Sequence, residues 1–240
     1  MDFYGGYCME RKMSEIHRGS QETYSTIANW GGEELPFSKY LRWDRMGLLG
    51  ILADYFLNYS KGHILEIGAG ESTVYLSFLA KKYNRKAYFC DIQQSIYYNA
   101  LTVPGYFDED VVIIREDGTK KITYTKNTLF IGSSDAFFKE VEMPQIAVAF
   151  IDGGHEYETV KKDFWNVFPL IEETGAIFLH DCYPPNEDYL DPNACGTGYL
   201  LRQELEADLR LDIFTFIRSA MDVGLTMVRK KPENLPYYKK

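Results

Sequence analysis

The stretch Ile64-Leu65-Glu66-Ile67-Gly68-Ala69-Gly70-Glu71-Ser72-Thr73 decides the fold. A short apolar run enters a glycine turn, and a helix-forming pattern leaves it. Glycines at such a turn let the backbone approach a ligand closely, and the helix start leaves N–H groups free to meet it. The next strand pattern, Tyr88-Phe89-Cys90-Asp91, closes on an acid. Asp91 lies about 25 residues beyond Glu66, close to the spacing at which an acidic side chain meets a ribose hydroxyl pair. Together these features predict a nucleotide-like cofactor held across adjacent strand ends. A dinucleotide site is the competitor. Its fingerprint asks for a third glycine or alanine where helix and strand pack, and Thr73 stands there.

Outward from this stretch, strands and helices alternate. His63–Ile67 reads as the first strand, 72–83 as a helix and 86–91 as the second strand. Upstream, Ser38 caps a predicted helix over 38–58, with Leu48, Ile51, Leu52, Tyr55 and Phe56 at helical spacing. Downstream, 111–114 and 122–125 flank Glu116-Asp117-Gly118-Thr119, and Asp-Gly between β-branched runs signals a hairpin. A strand over 128–131 ends in Gly132-Ser133-Ser134-Asp135. The run Ile146–Ile151 ends in Asp152-Gly153-Gly154-His155, and a helix with Tyr157, Val160, Phe164 and Val167 follows. A strand over 175–179 ends in His180-Asp181-Cys182. A helix over 199–208 precedes a closing antiparallel pair, 211–217 and 223–229. Strands alternating with helices imply a parallel sheet, and ligands of such sheets bind at the carboxyl ends of the strands. Each polar cluster named here sits at such an end, which predicts one shared cleft.

Composition narrows the class. The chain has 240 residues, 45% of them hydrophobic and 25% charged, which suits one large α/β domain with decorations or two small domains. A net charge of −9 disfavours general affinity for nucleic acid or an anionic membrane. Cys8, Cys90, Cys182 and Cys195 show neither metal-type nor disulfide-framework spacing. The start, Met1 to Lys12, lacks the basic-then-apolar order of a secretory signal, and no apolar run is long enough to cross a bilayer. The expectation is a cytoplasmic protein. Residues 1–37 are polar and aromatic, with Tyr4, Tyr7, Tyr24, Trp30 and Phe37. They read as an arm that is a lid over the cleft, a homodimer contact, or a segment packed on its own core.

This order of motifs resembles the class I S-adenosylmethionine-dependent methyltransferases. The resemblance spans about 38–230 and includes a last hairpin ending in Gly224-Leu225-Thr226-Met227-Val228. Two runs are more specific: IDGGHEYETVKKDF, which opens on Ile151 and Asp152, and FLHDCY, which holds His180, Asp181 and Cys182. They are similar to the small-molecule O-methyltransferase branch that includes macrocin-type sugar methyltransferases and, distantly, catechol methyltransferases. The implied fold class is α/β: a Rossmann-like, doubly wound, mostly parallel seven-stranded sheet with an antiparallel final strand. Residues 38–240 would be the methyltransferase domain.

The resemblance also implies roles. Glu66, Gly68 and Gly70 would hold the methionine part of S-adenosylmethionine, and Asp91 its ribose. Ser134 and Asp135 would contact the adenine, although Ser-Asp ahead of Ala-Phe-Phe is equally a good helix start. Asp152 and His155 would lie beside the transferable methyl, with Asp181 as a second acid. In metal-dependent relatives the Asp152 and Asp181 positions bind Mg²⁺ together with an Asp or Asn after the second. Here that neighbour is Cys182, and a thiol is a poor partner for a hard, oxygen-seeking cation.

Each side chain also has a plainer reading. Strand-end carboxylates such as Asp152 and Asp181 do not stay buried without a partner, so they act as metal ligands or as base and acceptor. Imidazole titrates near pH 6.5 and accepts a proton near neutrality. His155 therefore reads as proton acceptor, substrate contact or hydrogen-bonded scaffold, and His180 as scaffold. Lys161 and Lys162 read as a solvated helix face. Asn193-Ala194-Cys195-Gly196-Thr197-Gly198 reads as a substrate loop or as plain turn chemistry. The function expected is methyl transfer to a small-molecule acceptor, most simply at a hydroxyl oxygen. The alternatives are a cofactor-binding protein without transferase activity and a Rossmann-like oxidoreductase or hydroxylase accessory.

Overall fold

The structure is a computed structural model and describes residues 44–93, 111–115, 127–217 and 222–232. The chain runs through α1 (Asp44–Tyr59), β1 (His63–Ile67), α2 (Glu71–Lys82), β2 (Ala87–Asp91) and β3 (Val111–Arg115). It continues through β4 (Asn127–Ile131), α3 (Ser134–Glu140), β5 (Ile146–Ile151), α4 (Tyr157–Val167) and β6 (Ile171–His180). Then α5 (Tyr199–Glu206), β7 (Leu211–Phe216) and β8 (Leu225–Lys230) close it. The sheet has eight strands in the order β3-β4-β2-β1-β5-β6-β8-β7, one more than the seven expected. The final strand, β8, is antiparallel to both its neighbours, as the sequence implied, while β3 to β6 are joined by parallel pairings. The predicted arm over 1–37 lies outside the described residues. By its contacts the chain divides into Met1–Gly47 and Leu48–Lys240, and every described strand belongs to the second.

The central strands are apolar on both faces because both are covered. The strand β5 reads Ile-Ala-Val-Ala-Phe-Ile and is buried throughout, the pattern of a parallel strand between two helical layers. On one face Leu65, Ile67, Tyr88, Cys90, Ile151 and Leu179 join Phe137, Phe164, Leu201 and Leu205 from α3, α4 and α5. On the other, Phe178 meets Phe56 of α1, ring centroids 6.0 Å apart. Gly50 brings α1 against α2 so closely that a Cβ there would stand 2.2 Å from the Tyr75 ring.

One expectation changes. The buried face of α1 is Leu49, Ala53, Phe56 and Leu57, whereas Ile51 and Tyr55 are exposed. Apolar residues surround this helix, so spacing alone does not choose its inner side. Its predicted beginning at 38–43 lies outside the described residues. The strand β3 pairs in parallel with β4, from Val111↔Asn127 to Arg115↔Ile131. The turn and second strand of the predicted hairpin of 111–114 with 122–125 fall on residues 116–126, which lie outside the described residues.

The strand order places the site. From β1 the sheet extends through β2 to one side and through β5 to the other. The order reverses at the β1/β5 seam, and in sheets of this kind a crevice opens there beyond the carboxyl ends. Among the described residues no helix is long and apolar enough to cross a membrane. Cys90, Cys182 and Cys195 are buried.

Candidate active site

The glycine turn opens the crevice. Gly68 has φ +86°, and a Cβ on it would stand 2.2 Å from the carbonyl oxygen of Asp152. Only glycine lets this turn press onto the end of β5. The ladder continues beyond both strands: Gly68 N–H donates to the Cys90 carbonyl at 2.9 Å, and Asp152 N–H to the Ile67 carbonyl at 2.8 Å. Gly70 is different. A Cβ there would meet nothing within 4 Å, so the protein's own packing does not require glycine. The open space suits close approach by a ligand.

Glu66 supports this turn from beneath. It is fully buried. The hydroxyls of Ser72 and Thr73 donate to its carboxyl, the latter at 2.7 Å. Thr73 Oγ1 also accepts from Gly70 N–H at 2.9 Å. Burial pushes the Glu66 carboxyl up to about 8, against the pull of those two hydrogen bonds, with Asp152 and Asp91 adding to the rise. Both its oxygens therefore serve the first turn of α2.

Asp91 ends β2 and leans on the same turn. Its carboxyl accepts backbone hydrogen bonds from Gln93, at 2.6 Å, and from Ala69 and Ile92. Burial raises its pKa, and those bonds oppose the rise. The end of β4 lies alongside, with Gly132 N–H donating to the Asp91 carbonyl at 2.8 Å. Ser133 caps α3, its hydroxyl accepting from Ala136 N–H at 3.2 Å. Ser134 bonds to Asp163, and Asp135 pairs with Lys162. The side chains of both adenine candidates are thus engaged by α4.

The third cluster follows from register. Ile151 stands opposite Leu179, so Asp152 and His180 come next, side by side, and then Asp181. His180 Nδ1 lies 3.0 Å from Asp152 Oδ1 and 3.2 Å from Asp181 Oδ1. Burial pushes this imidazole toward its neutral form, but the two carboxylates outweigh it and raise the pKa to about 10. His155 Nε2 is 3.5 Å from Asp181 Oδ2. Asp181 adopts φ +53°, a left-handed conformation that aspartate tolerates better than most residues, and its two oxygens face two different histidines. One donor atom from each of Asp152, His155 and Asp181 lies within 4.8 Å of the others.

The structure thus brings Asp152, His155 and Asp181 together and sets His180 between the two acids. No local pattern marks a histidine that joins two acids from neighbouring strands. Cys182 is buried and its thiol donates to the His180 carbonyl at 3.2 Å. Burial, and then Asp181, push that thiol's pKa well up. It supplies no ligand to the cluster, and the third donor is His155.

A doubly wound sheet, a glycine turn at the order reversal and acids at the ends of β2, β5 and β6 match the Rossmann-like methyltransferase fold. Residues 65–182 match the model of a family described as a methyltransferase domain. Solved structures agree on the fold. A methyltransferase from Podospora anserina, bound to S-adenosylhomocysteine, superposes with a TM-score of 0.55 at 16% identity, covering 97% of this chain and 99% of that one. The O-methyltransferase TomG from Streptomyces achromogenes, in complex with S-adenosylmethionine, gives 0.58 at 13% identity, covering 94% and 96%. An O-methyltransferase from Bacillus cereus gives 0.55 at 13% identity, covering 93% and 97%. The search of proteins with curated function found no match.

Proposed function

We propose that this chain moves the methyl group of S-adenosylmethionine onto a hydroxyl oxygen of a small-molecule acceptor. One juxtaposition carries the reading: Asp152, grouped with His155 and Asp181, abuts the glycine turn through Gly68. A cofactor laid over Gly70, with its ribose at Asp91, would present its methyl to these three side chains. The fold shared with the O-methyltransferases of Streptomyces achromogenes and Bacillus cereus supports an oxygen acceptor.

The reaction is an in-line displacement. The acceptor oxygen bonds to the methyl carbon as the carbon–sulfur bond breaks, and the sulfonium becomes the neutral thioether of S-adenosylhomocysteine. Alignment of the two reactants supplies on the order of 7–11 kcal/mol. The hydroxyl proton passes to His155 Nε2 or to the Asp152 carboxylate, and general-base help of this kind is worth roughly 10²–10⁴ in rate. His180, set between Asp152 and Asp181, orients both carboxylates.

A divalent cation fits the same residues. Asp152 and Asp181 offer oxygens and His155 a nitrogen, and Mg²⁺ accepts one or two carboxylates while waters complete its shell. When bound, the metal lowers the pKa of the acceptor hydroxyl and fixes its orientation. Cys182 takes no part.

The test is transfer of a labelled methyl group from S-adenosylmethionine to a panel of phenols and sugars. Asp152→Ala is expected to abolish transfer and to leave cofactor affinity within about threefold, since Asp152 acts on the acceptor and not on the cofactor. Full transfer by Asp152→Ala would overturn the assignment.

A further inference from the structure

We infer that Thr197 is a positioning residue for His155; the inference rests on the proposed role of His155 beside the reacting methyl. Thr197 holds the segment around His155 from both flanks. Its N–H donates to the His155 carbonyl at 2.9 Å. Its Oγ1 accepts from Tyr157 N–H at 2.8 Å. That second bond replaces a missing local cap. Glu156, at the N-cap position of α4, makes no side-chain capping bond, so the first N–H of the helix is satisfied from a loop far along the chain.

The neighbouring glycine tightens the contact. Gly196 has φ +51°, and a Cβ on it would stand 2.5 Å from the His155 carbonyl oxygen and 3.1 Å from the His155 Cβ. The backbone of this loop therefore sits directly on the histidine.

The loop is stiff on its own account. Ala194 N–H and Gly196 N–H both donate to the Asp191 carbonyl, at 2.8 and 3.1 Å, and Cys195 N–H donates to the Tyr189 carbonyl at 2.9 Å. The Asp191 carboxylate accepts from both the backbone N–H and the side-chain amide of Asn193. Cys195 is fully buried. One turn further along α4, Lys161 and Tyr157 bond to Glu204 and tie the helix to α5. A rigid platform thus sets where the His155 imidazole meets Asp181. Displacement of a reacting group by about 1 Å can cost on the order of a hundredfold in rate, which is why such a platform matters.

The test reads the imidazole itself. Long-range proton–nitrogen NMR correlations of the histidine rings are recorded on the full chain saturated with S-adenosylhomocysteine, with His155→Gln to assign the signal. Thr197→Val removes the acceptor and keeps the shape, and Thr197→Ser keeps the acceptor. In Thr197→Val the His155 ring signals are expected to shift or broaden, while those of His63, at the opposite end of β1, stay in place. Thr197→Ser is expected to restore the wild-type spectrum. His155 signals unchanged in Thr197→Val, or a Ser variant indistinguishable from Val, would overturn the inference. Affinity for S-adenosylhomocysteine is expected to stay within twofold in Thr197→Val, which shows that the rest of the site is intact. The ring signals do not depend on turnover. An absence of methyl transfer would therefore count against the functional reading, while the spectra would still decide the role of Thr197.

Discussion

Gly68 and Asp163 show how much one position can carry. Gly68→Ala places a Cβ against the Asp152 backbone at φ +86°. The backbone conformation alone costs about 1–2 kcal/mol, and relief of the clash must part β1 from β5. The expected result is a lower urea midpoint together with weaker cofactor binding. Asp163 is buried in α4 with Oδ1 unpartnered, and burial raises its carboxyl to about 6 despite the bond from Ser134. A folded pKa above the unfolded value of about 3.9 means that the native state holds the proton more tightly. Stability from this group is therefore present at low pH and lost as pH rises through about 6. Asp163→Asn is expected to raise stability at pH 8 by on the order of 1–2 kcal/mol and to make no difference near pH 4, as paired urea titrations would show. Equal effects at both pH values would contradict it. Ser134 of α3 bonds to this carboxyl from another element, a contact that no local pattern encodes.

At the scale of elements, the proposed function places the cofactor against the first turn of α2. Thr73 Oγ1 links Glu66 to Gly70 and so joins the strand end to the open glycine. Thr73→Val breaks both bonds and leaves the buried carboxyl with one partner fewer. A cost of about 1–3 kcal/mol is expected, with roughly tenfold weaker binding of S-adenosylhomocysteine by calorimetry. Affinity unchanged in that variant would show that the turn holds its shape without this link. Elements with a strong local signal were legible: β1 and β5 follow from apolar runs that end at glycines, α2 from the helical pattern after the first of these turns, and β2 from an apolar run that closes on Asp91. The inner side of α1 was not, because its apolar residues face every direction.

At the scale of the whole molecule, strand order turns separate motifs into one site. The glycine turn, Asp91, Asp152 and Asp181 are scattered along the sequence, and each ends a parallel strand, so the sheet gathers them at one edge. That much was readable from alternation and spacing. The grouping of His155 with Asp152 and Asp181, and the bridging by His180, depend on the β5/β6 register and on the left-handed turn at Asp181. These long-range terms are absent from any local pattern. Ligand binding at this edge should stabilise the entire fold: S-adenosylhomocysteine at a hundred times its Kd adds about 2.7 kcal/mol by mass action. The most direct test of the central claim is calorimetric titration of the wild-type chain and of Asp91→Ala with S-adenosylmethionine, with NAD as control. The account expects binding of S-adenosylmethionine but not NAD, and an affinity at least about tenfold weaker in Asp91→Ala, the loss of a charged hydrogen bond to the ribose. No binding to the wild-type chain, or equal affinity in the variant, would contradict it.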